Sequence, residues 1–308
     1  MAKKTSRLEP QHRYWYEDLP LPGERMEKKP NLEGECNQVN GVFLEVSRAS
    51  SFSRGLLLII SALGSMIFFP GFLFLMATAF GSRQIGAGLI LLGALIGGGV
   101  AMILIAGLRM ELSIPADRPV RFNRRKRKVY IYEYKWTWNP FGRWKTVFKV
   151  FDWDNVRAEV IRERGFNGTA YMESHALVLA HCEPETNKVI ARTDLYRTLG
   201  NPGSEVKAMW AYCCHYMEQG LEGLPETKLR PRDVQFARCF FAHYPVLNPT
   251  KDGAEYRAGD WPHWIYDVLM FPVFPLMLLW GLGYYIVMRL APDPVWPPQI
   301  DRESKGGY

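Results

Sequence analysis

Six histidines, at positions 12, 175, 181, 215, 243 and 263, are the first residues to weigh for acid–base or metal chemistry. No HExxH, CxxC, GxSxG or phosphate-loop glycine pattern accompanies them. His175 and His181 lie in a strand-like stretch, on one face but about 20 Å apart, too far to share an ion. Cys182 and Glu183 follow His181, and a strand end running into an exposed turn accounts for that grouping. Cys213, Cys214 and His215 are consecutive, so on a helix they fan out by about 100° each and do not converge. With Cys36, Cys182 and Cys239 scattered along the chain, the cysteines read as reduced, buried or incidental thiols of a cytoplasmic protein. Asp152 and Asp154 bracket Trp153, but Asp154 is placed to accept backbone hydrogen bonds in a turn. The expectation is no catalytic residue, no metal site and no cofactor.

The densest polar feature is basic. Residues 121–138, RFNRRKRKVYIYEYKWTW, bring Arg121, Arg124, Arg125, Lys126, Arg127 and Lys128 together ahead of an aromatic and β-branched run. Such a cluster can grip nucleic acid, anionic headgroups or a protein partner. The surrounding elements favour a membrane. Leu56 to Phe80 carries no charged residue, nor does Ile85 to Leu108, and the polar break Gly81 to Gln84 is very short. At about 1.5 Å rise per residue each run exceeds the roughly 30 Å hydrocarbon core, which predicts two spanning helices joined by a tight turn. The formal net charge of +7 gathers at the flanks of these runs, which argues against a nucleic-acid protein. Arg48 and Arg54 precede the first run, only Arg83 lies in the turn, and the basic cluster follows the second; by the positive-inside rule both outer flanks are cytoplasmic. No secretory signal precedes them, so the helical hairpin is expected to act as the insertion signal.

Within the second run Gly93, Gly97 and Gly98 offer small surfaces for close helix packing, inside the hairpin or between two subunits of a homo-oligomer. A third run, Val268 to Met288, has Pro272 and Pro275 in its first turns. It reads as a third span, with an interfacial or re-entrant helix as the alternative. Trp261, Trp264 and Tyr266 just ahead of it are placed as an interfacial aromatic belt.

Between the second and third runs the pattern changes to short antiparallel strands. Val129, Ile131 and Glu133 alternate with Tyr130, Tyr132 and Tyr134, NPFGR turns, and Trp144, Thr146, Phe148 and Val150 return as the second arm of a β-hairpin. A strand bearing Val156, Ala158 and Val160 follows, then two more around a Pro–Asn turn, for four to six strands by residue 193. Ser204 to Gln219 has Val206, Met209, Trp210, Cys213, Tyr216 and Met217 at helical spacing, with Gly220 as its C-cap, so this helix should close one sheet face. In the N-terminal arm, Tyr14, Trp15 and Tyr16 should pack on the soluble domain or the membrane, and Val39 to Val46 reads as a short strand able to extend the sheet.

The segments RPVRFNRRKRKVYIYEYK, KVFDWDNVRAEV, ETNKVIARTDL and MWAYCCHYMEQGLEGLP, beside a short membrane hairpin, resemble an uncharacterised family of proteobacterial inner-membrane proteins. The resemblance covers about residues 39–225. It implies a bacterial pleckstrin-homology-like domain, a bent antiparallel sheet capped by a C-terminal helix, and a place beside type VI secretion toxins. The reading is thus an α+β membrane protein: a cytoplasmic arm (1–54), a transmembrane helical hairpin (55–108), a cytoplasmic PH-like domain (109–225), a linker with a short helix and interfacial aromatics (226–267), a third transmembrane helix (268–288) and a polar tail (289–308). As a function it implies a non-enzymatic immunity or accessory protein of the bacterial inner membrane, with the lipid bilayer and a toxin or secretion-apparatus protein as partners. The alternative is a membrane-anchored scaffold whose Arg121 to Lys128 stretch binds anionic lipid.

Overall fold

The computed structural model describes residues 5–32, 34–51, 54–81, 87–135, 137, 139, 142, 144–166, 171–199, 203–259 and 262–306. The arm supplies three strands, β1 (Trp15–Asp18), β2 (Cys36–Val39) and β3 (Phe43–Val46). Two long helices follow, α1 (Leu56–Gly81) and α2 (Ala87–Ser113). Then come β4 (Val120–Asn123), β5 (Lys128–Lys135), β6 (Lys145–Asp152), β7 (Val156–Phe166), β8 (Tyr171–Cys182), β9 (Val189–Leu199) and α3 (Ser204–Gln219). The remainder is helical: α4 (Phe236–Phe240), α5 (Lys251–Arg257), α6 (Pro262–Met270), α7 (Phe274–Leu290) and α8 (Pro298–Ser304).

Among the described residues, three helices are long and apolar enough to cross a membrane, Asp267–Leu290 being one despite its internal 3-10 turn. Pro70 sits inside α1 without ending it. α1 and α2 pack antiparallel, because Ser61 faces Gly107, Gly64 faces Leu104, Phe72 faces Gly97 and Met76 faces Gly93. Most of the turn expected at Gly81 to Gln84 lies outside the described residues.

The strands form two antiparallel sheets, in the orders β1-β7-β8-β9 and β2-β3-β4-β5-β6. Alternation decides which side chains each sheet turns inward. Leu44, Phe122, Val129, Ile131 and Phe151 from one sheet meet Val160, Leu177, Leu179 and Leu195 from the other in a single core. The α3 residues Val206, Met209, Trp210, Cys213, Tyr216 and Met217 complete it, as their spacing predicts. Gly220 ends that helix at φ 87°, and its amide donates to the Tyr216 carbonyl. All five cysteines are buried and unpaired.

The arm adds more than an edge to one sheet. β1 lies along β7 at the border of the four-stranded sheet, with the Trp15 indole donating to Asp18 at 2.8 Å and Arg162 over the Tyr16 ring. The stretch read as one strand over Val39 to Val46 is a hairpin, and its second arm β3 lies inside the sheet between β2 and β4. Asn40 forces the reversal by accepting from the amides of Val42 and Phe43.

Residues 291–306, within the stretch read as a polar tail, dock on the sheet. Arg121, Asn123, Tyr130 and Tyr132 point out of the core on the far face of β4 and β5. Trp296 and α8 cover that face, with Trp296 packed edge-on to Tyr132 and Ile300 beside it. An arginine in mid-strand needs a counter-charge when its face is covered, and the tail carries one.

Candidate functional site

The helix pair meets the sheets at a junction built from buried charge. The first amides of α1 have no intrahelical acceptor. Glu111, near the end of α2, supplies one: its carboxylate accepts from the Gly55 and Leu57 amides, each at 3.1 Å. An anion there also complements the positive end of the helix dipole. Arg54 reaches the opposite way, donating to the Ile114 carbonyl at 3.1 Å and to the Pro115 carbonyl. Burial pushes the Arg54 pKa down, and the nearby Glu111 charge opposes that.

α7 closes on this point without side chains in between. Gly55 has φ 88°, and a Cβ there would overlap the Tyr284 backbone nitrogen. One on Gly283 would overlap the Gly55 carbonyl oxygen, and one on Gly281 the Phe240 carbonyl oxygen. The Trp280 indole donates to the Arg54 carbonyl at 2.9 Å. His243 of the linker stacks on that indole at 3.8 Å, and burial pushes its pKa down to about 4.

Arg48 then ties the two sheets to each other. It is 4% exposed. Its backbone amide donates to Asp117 at 2.9 Å, and its guanidinium to Glu133 at 3.2 Å, the Asp194 carbonyl at 3.0 Å, the Arg118 carbonyl at 2.5 Å and the Tyr132 carbonyl. Tyr132 and Glu133 belong to β5 and Asp194 to β9, so one side chain spans both sheets. Burial, and next the Arg48 charge, push Arg118 down to about 10.

A cleft of about 410 Å³ opens beside this junction. Glu45, Asp117 and Arg121 form its sheet wall, Arg230 and Arg232 its linker wall, and Asp293, Trp296 and Lys305 its tail wall. Arg230 is held by Glu35 at 2.8 Å, and Asn37 bridges Glu45 and Asp117. Arg232 and Asp293 are exposed. The cleft walls therefore carry both signs of charge.

The basic cluster is divided between this cleft and the β4–β5 turn. Arg121 is not available to a headgroup: it is 6% exposed, pairs with Glu45 and with Asp301 at 2.6 Å, and lies over Trp296. The others occupy the β4–β5 turn and its exit. Arg127, at φ 50°, binds Asp154 at 2.5 Å and Glu218 at 3.2 Å, and Arg124 packs against Gly220. Asp154 thus serves that ion pair rather than the backbone cap its position had implied. Lys128 lies 3.6 Å from Glu303, the Lys126 amide donates to Asn123, and Arg125 is exposed. The opposite end of β5 is the one near α2, since Arg109 lies over Trp144 and donates to the Gly142 carbonyl at 2.6 Å. At about 3.3 Å per residue, the turn is over 20 Å from that end.

Gly97 packs under the Phe72 ring and Gly93 under Met76, whereas Gly98 has open space where its Cβ would be. Trp264 and Tyr266 fall in α6, and Trp261 lies outside the described residues. His175 sits by Glu173 at 3.3 Å and His181 stacks on Phe151, at separate places along β8. No cluster of three or more His, Cys, Asp or Glu suited to a metal occurs among the described residues. Sequence reasoning missed Glu111 as a cap and Gly55, Gly281 and Gly283 as contact points. An acid near the end of an apolar run and the Trp280–Gly283 spacing were the available signals.

Taken together, the molecule is a mixed α+β protein: two antiparallel sheets on a pair of long apolar helices. The chain belongs to a family of unknown function, DUF6708, whose model matches residues 99–307. That match begins inside α2 and runs through α8, whereas the resemblance seen in the sequence stopped near residue 225. Comparison with curated proteins and with solved structures gives no match.

Proposed function

We propose that the protein is a non-enzymatic binding protein of the bacterial inner membrane, whose cytoplasmic body holds a protein partner beside the bilayer. In this reading α1 and α2 form a transmembrane hairpin, and the two sheets with α3 form a PH-like domain enlarged by the arm. The partner is a toxin or a component of a type VI secretion apparatus, as the sequence resemblance implies. The observation that carries the reading is the mixed-charge cleft at the junction, with Arg232 and Asp293 exposed in its walls. A surface built this way selects a partner by matched charge, and electrostatic complementarity confers specificity more than raw affinity.

The test is genetic. In a strain carrying a neighbouring toxin gene, deletion of this gene should sensitise recipients to wild-type siblings, and re-expression should restore survival. The double variant Arg232→Glu with Asp293→Lys should accumulate normally and fail to restore it. Equal survival with and without the gene, with toxin delivery verified, overturns the proposal; full rescue by the double variant removes the cleft from it.

A further inference from the structure

The segment Asp267–Leu290 is long and apolar enough to span a bilayer, yet both of its ends are fastened to the sheet side of the molecule. At its start, Asp267 accepts from the Tyr256 hydroxyl at 2.9 Å, and its carbonyl accepts from Tyr244 at 2.9 Å. Tyr256 belongs to α5, a charged helix held by Lys228–Glu255 at 2.9 Å and by Arg238–Asp252 at 2.8 Å. Two residues beyond Lys228, the Arg230 amide donates to the Cys36 carbonyl of β2. At the other end, the Ala116 amide donates to the Pro292 carbonyl at 2.9 Å. From there the tail climbs the outer face of the sheet. Arg121 meets Asp301, Tyr130 donates to Glu303 at 2.8 Å, and Gly306 reaches Val42.

A chain that leaves and rejoins one side must cross the bilayer an even number of times. Between Arg230 and Ala291 there is a single long apolar segment, so the even number is zero. Its form agrees: a 3-10 turn at Phe271–Val273, containing Pro272, divides it into α6 and α7, and Gly283 of α7 meets the start of α1 at Gly55 and Ile59. The segment differs in burial along its length. Gly281, Gly283 and Val287 are buried in the junction, while Val268, Leu269, Phe271 and Leu276 ahead of them are 61–67% exposed. Leu56, Leu57 and Ile60 on the first turns of α1 are exposed as well. The two apolar surfaces adjoin where Trp280 binds the Arg54 carbonyl.

We infer that residues 265–279 do not cross the membrane but lie in the leaflet facing the sheets, with Val268, Leu269, Phe271 and Leu276 among its acyl chains. The occupant is lipid, because this surface runs into that of α1 and an exposed apolar patch beside a membrane helix falls at bilayer depth. The C-terminal tail therefore stays on the side of the sheets, and the protein has two crossings rather than three. The inference rests on the α1–α2 pair being transmembrane.

Single cysteines introduced into the full chain test it, since the native five are buried. With a membrane-impermeant maleimide on intact and permeabilised cells, Glu226→Cys and Gly307→Cys should label from one side, and Ser82→Cys from the other. Labelling of Glu226→Cys and Gly307→Cys from opposite sides overturns the inference. Ser82→Cys sharing their side overturns the transmembrane pair and the inference with it. In phosphatidylethanolamine–phosphatidylglycerol vesicles, a polarity-sensitive dye on Leu276→Cys should emit blue-shifted. A nitroxide near the headgroup should quench it more than one near the chain end, with the reverse order for Ile96→Cys. Water-like emission from Leu276→Cys, or quenching in the order of Ile96→Cys, overturns the leaflet placement.

Discussion

Arginine is used in opposite ways at the two ends of the five-stranded sheet. At the junction end, Arg48 is buried and its guanidinium reaches a carboxylate and three backbone carbonyls. At the far end, Arg127 pairs with two carboxylates, but its side chain is 42% exposed and Asp154 is 65% exposed. Linear charge density points to the second region; coupling of elements resides in the first. Removing one partner of a buried charge network leaves desolvated groups unpaired, whereas water replaces a lost surface ion pair.

The largest expected effect is therefore Arg48→Ala, which strips acceptors on β5, β9 and the β4 approach at once. A loss of about 3–5 kcal/mol is expected from the behaviour of broken buried pairs, read as a lower denaturation midpoint of the detergent-solubilised protein. Arg125→Ala in the same assay should fall within about 0.5 kcal/mol of wild type. Equal effects would erase the contrast between the two ends.

Next is Gly55→Ala. It places a Cβ on the Tyr284 backbone at a positive φ, so α7 must move off α1. A cost of about 1–3 kcal/mol is expected from backbone strain alone, and a protease should then cut between α4 and α7. Gly98→Ala, with open space around it, is the matched control and should not.

Proton linkage sharpens the comparison further, because the junction holds a group whose charge is suppressed. Burial lowers the His243 pKa from 6.5 to about 4. The folded state therefore binds fewer protons than the unfolded chain between those values, and stability falls as pH drops from about 6.5 towards 4. The loss is on the order of 2–3 kcal/mol when complete. His243→Phe, which keeps the stack on Trp280, should flatten the pH dependence of α4–α7 protection in hydrogen exchange. An unchanged slope would assign it to another group.

Legibility in the sequence followed the same divide. Period and composition located the long apolar runs, the β5–β6 hairpin and α3 with its Gly220 cap, because those depend on near neighbours along the chain. Val39 to Val46 reads as one strand by its alternation, because the reversal within it rests on the single side chain of Asn40. The docking of the tail was not legible. Asp301 meets Arg121 across 180 positions, and nothing local in PVWPPQIDRES announces a sheet to lie on. For the same reason the basic cluster looked uniform: only the fold shows that Arg121 faces a tail while Arg125 faces water.

The smallest expected effect is at the far turn. Changing Arg124, Arg125, Lys126 and Arg127 together to glutamine removes the Arg127 pairs with Asp154 and Glu218 and adds no buried unpaired group. Exposed pairs contribute about 0–1 kcal/mol each, so the denaturation midpoint should shift by no more than about 2 kcal/mol. In the full chain reconstituted in anionic vesicles, a headgroup nitroxide should not quench a dye on Lys128→Cys, because the turn lies over 20 Å along β5 from the end nearest α2, more than two Debye lengths at physiological salt. Salt-sensitive quenching there would show that the far end reaches a bilayer after all. Anionic-lipid binding by the turn, rather than partner binding at the cleft, would then account for the charge concentrated there.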